Sequence, residues 1–192
     1  MDTDFCKGKK MTKIDIISGF LGAGKTTLIQ KLLKEALNGQ KVVLIENEFG
    51  EIGIDGGFLK EAGIEVYELS GVEPNPRVTT VAKGAQMCKD FGIEAVLAVG
   101  GGSTIDSSKA IAHGIKYDGD FWDFWCGKAK PVKTTPFGVV LTMSAAGSES
   151  SNSCVITQEA TLTKRGLRSE LNRPKLAVMN PELAMTLPSY QI

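Results

Sequence analysis

Two glycine-rich turns, each lying between a strand-like and a helix-like run, carry the residue types that could hold phosphate. The first is the stretch Gly19 to Thr27, with glycines at Gly19, Gly22 and Gly24 followed by Lys25 and Thr26. Gly19-x-x-x-x-Gly24-Lys25-Thr26 has P-loop spacing. Its glycines let consecutive N–H groups curl around a phosphate, and the helix that follows adds its dipole and unpaired donors. In that reading Gly22, Gly24, Lys25, Thr26 and Thr27 bind GTP or ATP. Lys25 reaches the β- and γ-phosphates, and the Thr26 hydroxyl ligates Mg2+. Asp55, with Glu48 and Glu51, follows the next strand in an acidic, glycine-spaced segment and could face the same Mg2+. The plainer alternatives are a glycine turn with a fortuitous lysine, and a solvated acidic loop. The second turn is Gly100-Gly101-Gly102-Ser103, which follows a run of apolar residues directly. A strand that meets a helix through such a turn has the geometry of a pyrophosphate cradle, although the four residues alone could equally be a plain turn.

The elements around these turns read as alternating strands and helices. Ile14 to Ser18 and Lys41 to Glu46 are β-branched or continuously apolar runs, as are Glu65 to Leu69, Ala95 to Val99 and Pro136 to Thr142. Runs of that kind suit buried parallel strands. Phe58 to Ala62 and Thr104 to Ile115 read as helical, and Val78, Val81, Ala82, Ala85 and Cys88 mark one face of a helix ending near Phe91. Pro74-Asn75-Pro76 is a rigid turn. Cys154 to Thr157 and Lys164 to Leu167 can form a hairpin, and Leu176 to Met179 a last strand. Phe121, Trp122, Phe124 and Trp125 form an aromatic cluster, read either as packing beneath a loop or as a stacking platform for bases. Lys164, Arg165 and Arg168 read as a solvated face. The fold class expected is α/β: a three-layer, Rossmann-like, mostly parallel sheet with helices on both faces and a C-terminal hairpin region. Residues 1–11 read as a polar tail, 12–70 as a nucleotide-binding segment and 71–192 as a second such segment, with 12–192 one continuous α/β domain.

Composition narrows the partners. The 192 residues are 42% hydrophobic and 23% charged with zero formal net charge, so there is no broad basic field for nucleic acid or a membrane surface. Apolar runs are strand-sized, and MDTDFCKGKK has no apolar core, so neither a membrane span nor a signal peptide is expected. Cys6, Cys88, Cys126 and Cys154 form no C-x-x-C pair and read as reduced thiols of a cytoplasmic protein. The single histidine, His113, excludes a multi-imidazole site built from this chain alone.

Two families share these motifs. GFLGAGKTTL followed by KVVLIENEFGEIGID resembles CobW/HypB/UreG-type P-loop GTPases, the CobW-like branch most closely, over about Thr12 to Gly56. That resemblance implies a metal-delivering GTPase. Its Cys-x-Cys-Cys site, however, is replaced here by Ser70-Gly71-Val72-Glu73-Pro74. GVEPNPRVTTV, EAVLAVGGGSTIDSSKAIA, YDGDFWDF, LTMSAAGSES and NPELAMTLPSYQ resemble iron-containing alcohol dehydrogenases, butanol-dehydrogenase-like, over roughly Gly71 to Gln191. This second resemblance implies that Gly101, Gly102 and Ser103 hold the NAD(P) pyrophosphate and that Asp106 and Lys109 belong to the same motif. It places Thr142 and Ser148 on the nicotinamide side, with Ala146 where the family usually has threonine. It also implies Fe2+ or Zn2+ held by one aspartate and three histidines beyond the L-P-x-x-Q segment, which His113 does not match.

The expectation is therefore a nucleotide-binding hybrid, with a P-loop site and a partial NAD(P) site, catalytically incomplete. It would carry no catalytic residue of its own and would self-associate through apolar surface around Leu176 to Leu187. The alternatives are an NAD(P)-dependent alcohol or butanol dehydrogenase and a CobW-like metallochaperone GTPase.

Overall fold

The computed structural model describes residues 35, 37, 39–46, 60 and 63–181. The strand expected at Ile14, the whole Gly19 to Thr27 turn, Asp55, and Leu183 to Gln191 lie outside the described residues.

Five strands make one parallel sheet: β1 (Lys41–Glu46), β2 (Glu65–Leu69), β3 (Ala95–Gly100), β4 (Phe137–Leu141) and, later in the chain, β7 (Leu176–Met179). Their spatial order is β2-β1-β3-β4-β7. Register runs Val42 opposite Ala95, Val96 opposite Phe137 and Gly138 opposite Leu176. β1, placed by the sequence reading in the first segment, pairs with both β2 and β3. The central strands are apolar from Val42 to Ile45 and throughout β3 because both of their faces are buried there. Val43, Ile45, Val96, Ala98, Val139 and Leu141 face one core. Val42, Leu44, Leu97, Val99, Val140 and Val178 face the other, where the helical residue Leu37 packs. The expected α/β, Rossmann-like class with a mostly parallel sheet holds.

Helices α1 (Val78–Asp90) and α2 (Gly102–Ile115) cover the first core. The buried face of α1 is Val81, Gly84, Ala85 and Cys88, while Ala82, assigned to that face from its spacing, is exposed. Gly84 takes its place because the neighbouring elements leave no room for a side chain. A Cβ there would lie 2.6 Å from Ile111 Cδ1 and 2.8 Å from Leu69 Cδ2. At the other end of the contact, a Cβ on Gly114 would lie 2.7 Å from Ala85 Cβ, an atom fixed to the α1 backbone. Gly114→Ala should therefore force the helices apart and lower stability by about 1–3 kcal/mol. Gly84→Ala meets only flexible side-chain ends and gains helix propensity, so it should cost less. Chemical denaturation of the two variants side by side checks the order.

A short helix, α3 (Trp122–Cys126), follows α2, and the aromatic cluster packs inside. Phe121, Phe124 and Trp125 are buried, and Trp125 Nε1 donates to Cys154 O at 3.1 Å. The expected hairpin forms antiparallel from β5 (Ser153–Gln158) and β6 (Thr163–Arg168), with Cys154, Ile156 and Leu167 in the first core. Lys164, Arg165 and Arg168 are exposed. Among the described residues no helix is long and apolar enough to cross a membrane.

Candidate functional site

The strand order reverses between β1 and β3, and ligands of open parallel sheets bind outside the strands' carboxyl ends at such a point. β3 ends there in Gly100. With φ at 158° and a would-be Cβ only 2.5 Å from Thr104 Oγ1, this position requires glycine. Gly101 is the N-cap of α2, no side chain caps the helix, and its first turn therefore presents backbone N–H groups at the end of the sheet.

The walls of this cradle come from loops. Residues 142–148 run alongside the glycines: a Cβ on Gly101 would lie 3.7 Å from Met143 Cβ, and one on Gly102 3.5 Å from Ser148 Oγ and 4.0 Å from Ala146 Cβ. Thr142 N–H donates to Gly100 O at 3.2 Å, which ties the end of β4 to the turn. On the far side, Asn75 N–H donates to Ser103 Oγ at 3.3 Å. The structure thus brings Gly101, Gly102, Ser103, Thr142 and Ser148 together at the carboxyl end of β3.

Asp106 and Lys109 lie one and two turns further along α2, and their bonds go to the hairpin and its leading loop. Lys109 is fully buried. Its Nζ donates to Ser148 O (2.8 Å), Ser151 O (3.2 Å), Ser151 Oγ (3.3 Å) and Ser153 O (2.8 Å), and lies 3.7 Å from Asp106 Oδ1. Asp106 Oδ2 accepts Val155 N–H at 3.0 Å. Burial pushes the Asp106 carboxyl up and the Lys109 amine down from their ordinary values, and each partner's charge opposes its shift. The pair clips the 148–155 segment, and with it one cradle wall, onto α2. The resemblance puts Asp106 in the cofactor-binding motif, and in the structure it stands beside the cradle, one turn along α2 from Ser103.

His113 serves a similar structural purpose further down α2. Asn172 Nδ2 donates to Asn152 O (2.9 Å) and Leu167 O (2.8 Å), which turns its Oδ1 toward His113 Nε2 at 2.7 Å. Nε2 therefore carries the proton. Burial lowers the His113 pKa against the raising effect of Asn172. Because the unfolded chain binds the His113 proton more readily, stability should be complete above about pH 6.5 and fall as pH drops below it. The lowered carboxyls of Glu65, Glu159 and Glu170 act only near pH 4, and the raised Asp106 acts with the opposite sign. His113→Gln should flatten the melting temperature between pH 6.5 and 5 relative to the parent.

The described residues do not fit an iron ion. No three histidine, cysteine or acidic side chains among them could share one, and His113 is sealed against Asn172, Phe124 and Trp125. A cavity of about 130 Å³ between Leu37, Ala95, Phe137 and Leu176 opens at the amino ends of the strands, opposite the cradle, and is mostly apolar, with Gln40 and Lys175 also lining it.

Residues 19–181 match the family model of the iron-containing alcohol dehydrogenases. The chain is 44% identical over 169 residues to a probable NADH-dependent butanol dehydrogenase of Bacillus subtilis, covering 85% of this chain and 43% of that one. It is 42% identical over 178 residues to NADH-dependent butanol dehydrogenase A of Clostridium acetobutylicum, covering 90% and 45%. Among solved structures, butanol dehydrogenase A of Thermotoga maritima superposes with a TM-score of 0.78 at 40% identity, over 88% of this chain and 44% of that one. A sulfoacetaldehyde reductase of Bifidobacterium kashiwanohense in complex with NAD+ superposes with a TM-score of 0.75 at 28% identity, over 87% and 45%. The chain thus spans somewhat under half the length of the curated relatives it matches.

These matches overturn the hybrid reading and the CobW-like GTPase. The dehydrogenase model begins at residue 19 and so takes in Gly22, Gly24, Lys25, Thr26, Thr27 and Asp55. GTP or ATP with Mg2+ has no support there. A strand, a glycine turn and a helix recur in every phosphate-binding βα unit, so the P-loop string on its own named the wrong family.

Proposed function

The chain belongs to the iron-containing alcohol dehydrogenase family, and from that premise we propose that it binds NAD(H) for an alcohol dehydrogenase of the butanol-dehydrogenase type. The reaction is NADH plus an aldehyde plus a proton giving NAD+ and a primary alcohol. The observation that carries the proposal is the side-chain-free turn at Gly101 and Gly102, at the end of β3, with Met143, Ala146 and Ser148 facing it.

In this reading the α2 N-terminus and the Ser103 hydroxyl hold the pyrophosphate. Thr142 and Ser148 flank the nicotinamide, and Asp106 and Lys109 fix the wall that Ser148 belongs to. NADH is the preferred dinucleotide, since the named butanol dehydrogenases of B. subtilis and C. acetobutylicum are NADH-dependent. A reducing cytoplasm is the matching compartment, with Cys88, Cys126 and Cys154 free.

Titration with NADH, followed by the change in nicotinamide fluorescence, tests the binding. Butanal-dependent NADH oxidation with added ferrous or zinc ion tests the reaction. Saturable binding is expected, and a chain that leaves NADH fluorescence unchanged at millimolar concentration sinks the proposal.

A further inference from the structure

Gly138, the second residue of β4, stands in a row of leucines. Register across the sheet runs Leu44 opposite Leu97, Leu97 opposite Gly138 and Gly138 opposite Leu176. The three leucines belong to the second core, and Gly138 shares their face by alternation with Val140. A glycine inside a strand forgoes packing and often marks a place where another molecule comes close to the backbone. The backbone here does not require it, since Gly138 has no positive φ. A Cβ would lie 3.4 Å from Leu97 Cδ1 and 3.7 Å from Leu176 O, both ordinary contacts. The fold therefore has room for a side chain at this position. Its absence leaves Gly138 as part of the wall of the 130 Å³ cavity.

The chemistry of that cavity selects an occupant. Leu37, Leu97 and Leu176 give it an apolar lining. An apolar cavity of about 150 Å³ takes up a molecule the size of benzene, so this one suits an alkyl chain of roughly four or five carbons. Gln40 and Lys175, which stand just before β1 and β7, line the same space at the amino end of the sheet. Lys175 N–H donates to Phe137 O at 2.8 Å, which fixes the residue beside the start of β4. Lys175 is exposed and Gln40 half-buried, and neither side chain has an ion-pair or hydrogen-bond partner among the described residues. Glu94, the acid just before β3, is turned to Lys41 N–H at 3.2 Å. An ammonium and an amide beside an apolar slot suit an anionic head on a short apolar tail.

We propose that this cavity binds a short-chain aliphatic carboxylate, with its tail over Gly138 between Leu97 and Leu176 and its carboxylate at Lys175 and Gln40. The site lies at the end of the sheet away from the first turn of α2, and it does not depend on the NAD(H) reading.

Titration calorimetry of the whole chain with acetate, butyrate, pentanoate, octanoate and 1-pentanol tests it, with melting temperatures alongside. Affinity should rise about three- to fourfold per methylene from acetate to pentanoate, reach about millimolar, and gain little more at octanoate. Gly138→Ala puts a methyl group where the tail lies and should weaken pentanoate about tenfold without lowering the melting temperature. Lys175→Gln, an exposed change that keeps the decision open even if the alanine variant fails to fold, should weaken pentanoate about two- to fivefold and leave 1-pentanol unaffected. NADH should not displace pentanoate. Affinity that ignores chain length, or that either folded variant leaves unmoved, overturns the proposal. So does displacement by NADH, which would put the carboxylate at the α2 N-terminus instead. A chain that takes up no pentanoate at tens of millimolar, as when another protein segment fills the cavity, overturns it as well.

Discussion

Gly102→Val should weaken NADH binding at least about 100-fold while leaving the fold intact. The backbone at Gly102 is ordinary α-helix, so a side chain there adds no strain of its own. Its Cβ would stand 3.5 Å from Ser148 Oγ and 4.0 Å from Ala146 Cβ, normal contacts. The two further methyl groups of valine must then occupy the gap between the helix end and the loop, which is the space a pyrophosphate would need. Losing close approach to several backbone N–H groups removes more than one charge-assisted hydrogen bond, each worth roughly 1.5–3 kcal/mol. Gly102→Ala, which fills less of the gap, should fall between. Circular dichroism of the parent and both variants separates lost binding from lost folding. A valine variant that binds NADH like the parent would move the pyrophosphate away from this turn.

Lys109→Met should be the most destabilising single change at the site, by about 3–5 kcal/mol. Methionine fills much of the same volume, so the loss is mainly electrostatic. The carbonyl oxygens Ser148 O and Ser151 O lose their donor, Ser153 O keeps only that of the Ser151 hydroxyl, and the partly buried Asp106 carboxyl loses its counter-charge. Lys109→Met with Asp106→Asn should recover part of the deficit, because the uncompensated charge goes with the second change. Urea denaturation of the parent, both single variants and the pair measures that recovery. A Lys109→Met protein as stable as the parent would show that the contacts of this ammonium contribute little.

Much of this architecture was legible because burial on two faces writes itself into composition. KVVLIE and AVLAVG leave few alternatives to central parallel strands, and the hairpin follows from the two short runs Cys154 to Thr157 and Lys164 to Leu167. Helix faces were less legible. Ala82 and Gly84 are both small, and only the approach of Ile111 and Leu69 decides which is buried. Lys109 reads from sequence only as a member of the dinucleotide motif, since nothing local reveals that carbonyls from 39 to 44 residues away converge on it. Asn75 announced a turn through its flanking prolines, but its positive φ and its partner Lys164 depend on tertiary placement. The P-loop string misled because a short phosphate-binding pattern is compatible with several families. The longer match starting at residue 19 discriminated among them.

α2 offers its first turn to the cradle, its middle to Lys109 and its last turns to His113 and the α1 contact. A helix so used cannot fray without releasing everything fastened to it. Its amide protons should therefore exchange with deuterium only through opening of the whole sheet layer. Occupancy of the cradle should slow that exchange along the full length of α2 and out into the β5–β6 arm, far from any atom the dinucleotide touches.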